Sequence, residues 1–335
     1  MKKALISGQN GQDGSYLCEF LLNKGYEVHG IVRRHHSGYG TLANILHLIG
    51  DEEIYRKRLF IHSGDLGDAT SIYRIVADVR PDEIYNLAAQ ADVQESFLQP
   101  DYTVEINGNG VIRFLEAIKS IDKKIKFYQA STSELFGRVE ETPQNENSRM
   151  NPQSPYAWGK FVGYRAVKIY REAYGLFASN GILFNHESPR RGDDYVTRKI
   201  TKAVARIKLG KQKILRLGNL DALRDWGYSP EYCEAMWNIL QLAKSDDFVI
   251  GTGETHSVKE WLQESVRVAE LDWEDFEKNH LVIDPKLFRP AEVDILRADY
   301  SKAKETFGFT PRVKFKELVN VMVKTDILNE KGRPD

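Results

Sequence analysis

Hydrophobic positions along the chain fall into two alternating patterns. Lys3–Ser7, Tyr26–Val32, Leu59–His62, Glu83–Leu87, Ile125–Ala130 and Phe177–Phe184 are short, nearly continuous apolar runs. Runs of that length and continuity predict strands buried on both faces. Between them, apolar residues recur at helical spacing in Ser15–Leu22, Asp68–Val79, Asp101–Lys119 and the stretch from Tyr156 to Tyr174, and Gly25 is placed to stop the first helix. From Asn185 onward the pattern breaks into turn-rich segments carrying cationic side chains.

Strands alternating with helices predict an α/β chain: a Rossmann-like, doubly wound parallel sheet with helices on both faces and its ligand at the carboxyl ends of the strands. The later segments predict a smaller C-terminal α/β lobe that binds substrate. The expected division is 1–184 for a nucleotide-binding domain and 185–335 for the lobe, with about 217–255 returning to the first domain. A chain of 335 residues is long enough for both.

The first strand runs directly into Gly8-Gln9-Asn10-Gly11-Gln12-Asp13-Gly14 and then into a helix. Glycines at three-residue spacing between a strand and a helix N-terminus allow a tight turn and close approach of an anion, the geometry of a pyrophosphate cradle. Arg33-Arg34 stand at the end of the second strand, where a cofactor with a free ribose 2'-hydroxyl would meet an acid. Two guanidinium groups there suit a 2'-phosphate, so the expected cofactor is NADP. After the third strand Asp65 can receive the adenine amino group. After the fourth, Ala88-Ala89-Gln90 are small enough to pass close to the cofactor.

The candidate chemistry lies between Ser131 and Lys160. Alternation in extended chain predicts that Thr132 and Glu134 share a face, and helical spacing puts Tyr156 and Lys160 one turn apart. A phenol becomes a useful base if an ammonium stands near it; at roughly 4 Å and an effective dielectric of about 20 the anion gains about 4 kcal/mol. Tyr156 with Lys160 therefore predicts alcohol oxidation. Glu134 is surplus to a simple dehydrogenase.

A formal net charge of -1 gives no basic field for nucleic acid or acidic membrane surfaces. Cys18 and Cys233, each in an apolar helical pattern, make no disulfide framework and point to a reducing cytoplasm. No apolar stretch is long enough to span a bilayer. No metal-ligand cluster is present in the sequence, and His35 and His36 are adjacent in a polar stretch. Leu42, Ile45, Leu46, Leu48 and Ile49 form an apolar group for a core or for a subunit interface.

Taken together, GQNGQDGSYL (Gly8–Leu17), YNLAAQ (Tyr85–Gln90), QASTSELFG (Gln129–Gly137), NHESPRRG (Asn185–Gly192), VTRKI (Val196–Ile200), LGNLDALRDWG (Leu217–Gly227), GETHSV (Gly253–Val258) and FRPAEVD (Phe288–Asp294) resemble the extended short-chain dehydrogenase/reductase superfamily. Within it, they resemble the GDP-mannose 4,6-dehydratase family from Ala4 to about Val323. The resemblance implies a hydro-lyase with an internal redox cycle. Tyr156 takes the proton from O4 while C4 gives hydride to NADP, Glu134 removes the C5 proton and protonates the departing C6 hydroxyl, and Thr132 hydrogen-bonds in the pocket. Hydride then returns to C6, so the tightly bound cofactor is regenerated each turnover.

It further implies cofactor contacts at Gly8, Asn10, Gly11, Gln12, Asp13, Arg33, Arg34, Asp65, Leu66, Leu87, Ala88, Ala89, Gln90, Tyr102, Tyr156, Lys160, His186 and Arg191. A GDP-sugar would lie on Asn185, Lys199, Arg224, Arg289 and Glu292, and the assembly would be a homo-tetramer, a dimer of dimers, with cofactor sites near subunit contacts. Departures at Trp158-Gly159, Tyr228-Ser229-Pro230 and His35-His36 leave both GDP-mannose and a GDP-manno-heptose open as substrates. An NADP-dependent 4-reductase or 4-epimerase would have no use for Glu134. A non-catalytic NADP-binding regulator would need neither Tyr156 nor Lys160.

Overall fold

A computed structural model describes residues 1–33, 42–288 and 293–332. Arg34, His35, His36, Arg289 and Glu292 therefore lie outside the described residues.

Six strands follow the expected order: β1 (Lys3–Ser7), β2 (Glu27–Val32), β3 (Leu59–Ser63), β4 (Glu83–Asn86), β5 (Lys126–Thr132) and β6 (Ala178–Leu183). The later chain adds β7 (Asn185–Glu187), β8 (Leu215–Leu217), β9 (Leu223–Arg224), β10 (Trp226–Tyr228), β11 (Phe248–Ile250), β12 (His256–Ser257), β13 (Leu281–Ile283) and β14 (Ile295–Leu296). The main sheet has the order β11-β6-β5-β4-β1-β2-β3 and is parallel throughout. Strand order reverses between β1 and β4, and a ligand crevice is expected at that reversal.

Ala4, Leu5 and Ile6 of β1 are all fully buried, although alternate side chains face opposite sides of the sheet. Helices on both faces explain it. On one side α1 (Gln12–Asn23) packs with Ala4, Ile6 and a helix from the later chain, Ser229–Gln241. On the other, Leu5 meets Ala69–Val79, Gly110–Ile121 and Pro155–Tyr174. A second apolar core forms around Trp226, Trp261, Phe315 and Met322, where the helices Val196–Lys208, Val258–Val268 and Phe315–Lys331 meet. Residues 229–250 join the main sheet through β11, while the other late strands pair among themselves and with β7.

Two local expectations change. The helix expected over Asp101–Lys119 is divided into Pro100–Val104, a wider π turn at Glu105–Asn109 and Gly110–Ile121. The wide turn presents Asn107 to the β4 loop: its Oδ1 accepts from Gln90 N at 2.9 Å and its Nδ2 donates to Gln90 O at 2.8 Å. The apolar group after residue 41 is also divided, since Ile45 and Leu48 are buried against α1 whereas Leu46 is 58% exposed.

Candidate active site

The glycine turn is shaped by steric necessity. Gly8 has φ +73°, a region that disfavours side chains, and a Cβ there would lie 2.9 Å from Ala88 N. A Cβ on Gly14 would lie 2.2 Å from Gly8 O. The backbone is thereby folded against the N-terminus of α1, and Gly11 N donates to Gly8 O at 3.0 Å. Around this turn lies a groove of about 610 Å³ lined by Gly8, Asn10, Gly11, Gln12, Asp13, Arg33, Asp65, Leu66, Leu87, Ala88, Ala89, Gln90, Tyr102 and Arg191. Those are fourteen of the residues expected from sequence to contact a cofactor, twelve of them at the ends of four strands, with Tyr102 from a helix and Arg191 from the later chain. The Gln90 side-chain oxygen is buried with no partner among the described residues. Arg33 Nη1 donates to the Tyr102 hydroxyl at 2.6 Å. Asn44, which no motif singled out, ties the rim by donating to Asn10 O at 3.2 Å.

Tyr156, Lys160 and His186 lie elsewhere, in a recess of about 180 Å³ with Asp13, Ser131, Thr132, Glu134 and Arg191. Strand β5 delivers Thr132 and ends there. Thr132 Oγ1 accepts from Glu134 N at 3.2 Å, so Glu134 sits on a capped turn rather than on the strand face. The two side chains still line one chamber, but a cap rather than strand alternation puts them there. Ser154 caps the helix that follows, accepting from Ala157 N at 3.1 Å, and its second and sixth residues are Tyr156 and Lys160.

The expected acidification of Tyr156 by Lys160 is not what the geometry gives. Lys160 Nζ donates to Ala130 O at 2.9 Å and stands 6.0 Å from the centroid of the tyrosine ring. Burial pushes the phenol well up; the Thr132 hydroxyl pulls it back, Tyr195 and Glu134 push it up, and Arg191 is the cation that lowers it. Burial also holds the Lys160 ammonium down at about 8, only partly opposed by Asp13. Desolvation outweighs the pair interaction because both groups are enclosed.

His186 is a structural partner of Asp13. Its Nε2 is 2.8 Å from Asp13 Oδ2 and its Nδ1 is 2.7 Å from Phe184 O. Both neighbours are acceptors, so both ring nitrogens carry protons and the imidazole is cationic. Burial works against that charge, and Asp13 overcomes it and raises the histidine pKa. Burial likewise works against the Asp13 carboxylate, yet His186, Ser229 and Arg191 hold its pKa at about 2.

A third chamber, about 220 Å³, adjoins the recess and is lined by Asn185, Lys199, Arg224, Glu134, Glu187, Asn219 and Trp226 among others. The three described substrate candidates thus converge. The cationic segments do not all contribute. Arg190 donates to Ser15 and Glu19 and lies 4.0 Å over the Tyr16 ring, and Arg198 is buried against Asp326. Arg191 and Lys199 line the recess or the substrate chamber, whereas Arg190 reaches only the glycine groove and Arg198 none of the three. Sequence reasoning missed two buried carboxylates. Glu187 accepts from Thr197 at 2.7 Å and lies 3.3 Å from Arg191 Nε. Asp225 accepts from Thr252 N, Thr252 Oγ1, Gly253 N and Ala298 N, and so ties two other segments to its own beside Arg224. Their neighbours in sequence give no periodic signal that would have found them.

A model of the family described as GDP-mannose 4,6 dehydratase matches residues 5–322. GDP-mannose 4,6 dehydratase 1 of Arabidopsis thaliana is 51% identical over 331 residues, covering 97% of this chain and 90% of the relative. The human GDP-mannose 4,6 dehydratase is 49% identical over 340 residues, covering 97% and 91%. In fold, the chain is similar to DesIV, a dTDP-glucose 4,6-dehydratase from Streptomyces venezuelae solved with NAD and TYD bound, with a TM-score of 0.83, 22% identity and 98% of each chain covered. The extent of the family match and the identity to its curated members agree, and the chain belongs to the GDP-mannose 4,6-dehydratase family.

Proposed function

We propose that the protein is a hydro-lyase that converts GDP-mannose to GDP-4-keto-6-deoxymannose with NADP as a regenerated cofactor. The observation that carries this reading is that Tyr156 and Glu134 line one recess, which shares Asp13, Leu87, Ala89 and Arg191 with the cofactor groove and Glu134, Asn185 and Arg191 with the substrate groove. Relatives across the curated matches carry the same named activity.

The groove fits a dinucleotide: a glycine turn with no room for a Cβ, an orphaned Gln90 oxygen and Arg33 at the rim. A nicotinamide cofactor bound there supplies a reversible hydride acceptor. Tyr156 takes the proton from O4, aided by the Thr132 hydroxyl and the Arg191 cation. Glu134 removes the C5 proton, made acidic by the ketone at C4, and returns it to the C6 hydroxyl as water leaves. Lys160 holds the Tyr156 helix to the end of β5 through Ala130 O. Asn185, Lys199 and Arg224 hold the nucleotide-sugar on the side formed mainly by residues 185–335. Glu134 in the recess favours dehydration over 4-reduction or 4-epimerisation.

The test is Glu134→Gln assayed by mass spectrometry for loss of water from GDP-mannose, with GDP-manno-heptose in parallel. Retained cofactor binding with water loss nearly abolished is expected; undiminished water loss would end this reading. The preference for NADP over NAD rests on Arg33. The proposed tetramer rests on exposed Leu46 beside that rim, and Leu46→Asp is expected to lower the solution mass. No helix among the described residues is long and apolar enough to cross a membrane, and a cytoplasmic location agrees with two free, buried cysteines.

A further inference from the structure

Three residues, Ala91, Arg191 and Tyr195, line the cofactor groove, the recess and the substrate groove alike. Of these, Tyr195 brings a neutral hydroxyl. No motif pointed to it, and the mechanism above does not use it. Its backbone is tied on both sides: Tyr195 N donates to Gly192 O at 3.2 Å, and its carbonyl accepts from Lys199 N at 2.8 Å. The ring lies under the guanidinium of Arg191, whose Cζ is 3.6 Å from its centroid. Arg191 is held from another side by Glu187, 3.3 Å from its Nε. The ring is thus fixed by a stack and by its position at the start of a helix, while its hydroxyl hydrogen-bonds no described residue. Tyr195, Glu134 and Tyr156 all line the same recess.

We propose that Tyr195 is a specificity-determining residue whose hydroxyl pairs with O2 or O3 of the hexose, while its ring holds Arg191 at the junction of the three chambers. The inference rests on the reading of a GDP-hexose substrate. Chemistry leaves only those two oxygens. C1 carries the diphosphate, O5 closes the ring, and C4 and C6 react at Tyr156 and Glu134. A hydroxyl at the boundary between recess and groove is where the unreactive side of the sugar must pass. A rigid, preoriented hydroxyl selects because a sugar without the matching group leaves it unpaired.

Two variants separate the ring from the hydroxyl. Tyr195→Phe keeps the stack on Arg191 and removes the oxygen. Calorimetric binding of GDP-mannose to protein loaded with NADPH, which cannot accept hydride and so allows no turnover, is expected to weaken roughly threefold to tenfold, with NADPH affinity unchanged. Tyr195→Leu removes the stack as well, and NADP affinity is expected to fall with it. The deciding measurement is a cycle of wild type and Tyr195→Phe against GDP-mannose and its 2-deoxy and 3-deoxy analogues. Wild type should bind one analogue less tightly, and Tyr195→Phe should no longer distinguish that analogue from GDP-mannose. If the losses add for both analogues, the hydroxyl touches neither oxygen and the proposal is overturned. Binding without turnover keeps this result apart from the water-loss assay: a protein that binds GDP-mannose but releases no water fails the proposed reaction and leaves this cycle decisive.

Discussion

The cofactor groove and the substrate groove are built by opposite means. The first is drawn mainly from strand ends within the first 106 residues and closed by residues 190–195. Its shape comes from glycines whose missing side chains let Gly8, Gly14 and Ala88 come into contact. The second is made of side chains from segments scattered between Ala91 and Leu287, held in place by buried carboxylates such as Glu187 and Asp225. A steric site fails when an atom is added. An electrostatic site fails when a charge is removed.

The largest effect is expected on the steric side. Gly14→Ala forces a Cβ against Gly8 O and the Gln9 backbone, at 2.2 and 2.7 Å, and backbone cannot step aside. A loss of about 3 kcal/mol of stability is expected, with NADP binding abolished; denaturant melts and cofactor titration measure both. An unaltered NADP affinity would break the contrast.

Asp225→Asn keeps the volume and removes the charge that four donors share. Because the site is fully buried, about 2 to 3 kcal/mol of stability should go, and the KM for GDP-mannose should rise while NADP affinity holds. Equal losses of both affinities would mean that the pin serves the whole molecule rather than the substrate side.

Lys160 lies between the two regions and tests the cost of enclosing charge. Its folded pKa of about 8 lies below the unfolded value of about 10.4. The folded protein therefore bears the full cost of the buried ammonium below pH 8, and that cost fades as pH rises from 8 toward the unfolded value. Lys160→Met should abolish water loss yet stabilise the cofactor-free protein by about 2 kcal/mol at pH 7, after the hydrogen bond to Ala130 O is given up. The gain should shrink by pH 10, as thermal melts at the two pH values would show.

The smallest effect is expected at the rim. Arg33→Ala should weaken NADP roughly tenfold and leave NAD nearly unchanged, since the guanidinium stands on the surface beside the Tyr102 hydroxyl. Loss of both cofactors alike would move Arg33 from phosphate recognition to scaffolding of the groove.

Much of this was legible before any coordinates. The six strands were read within one or two residues of their ends, and fourteen of the residues expected to contact a cofactor line one groove. The wide turn at Glu105–Asn109 was not legible, because its apolar residues keep helical spacing and only the contact of Asn107 with Gln90 reveals its use. Arg190 could not be told from Arg191, since the two differ only in which way a turn directs them.

The sequence by itself determined the alternation of strand and helix, the cradle and the set of reactive groups, because periodicity, glycine spacing and residue chemistry are local properties that survive in one dimension. Only the tertiary structure decided that Glu134 sits on a cap, that Lys160 Nζ donates to Ala130 O, and that Tyr195 stands where three chambers meet. Those outcomes depend on distance and desolvation between segments far apart in the chain, and neither quantity is written in the order of the residues.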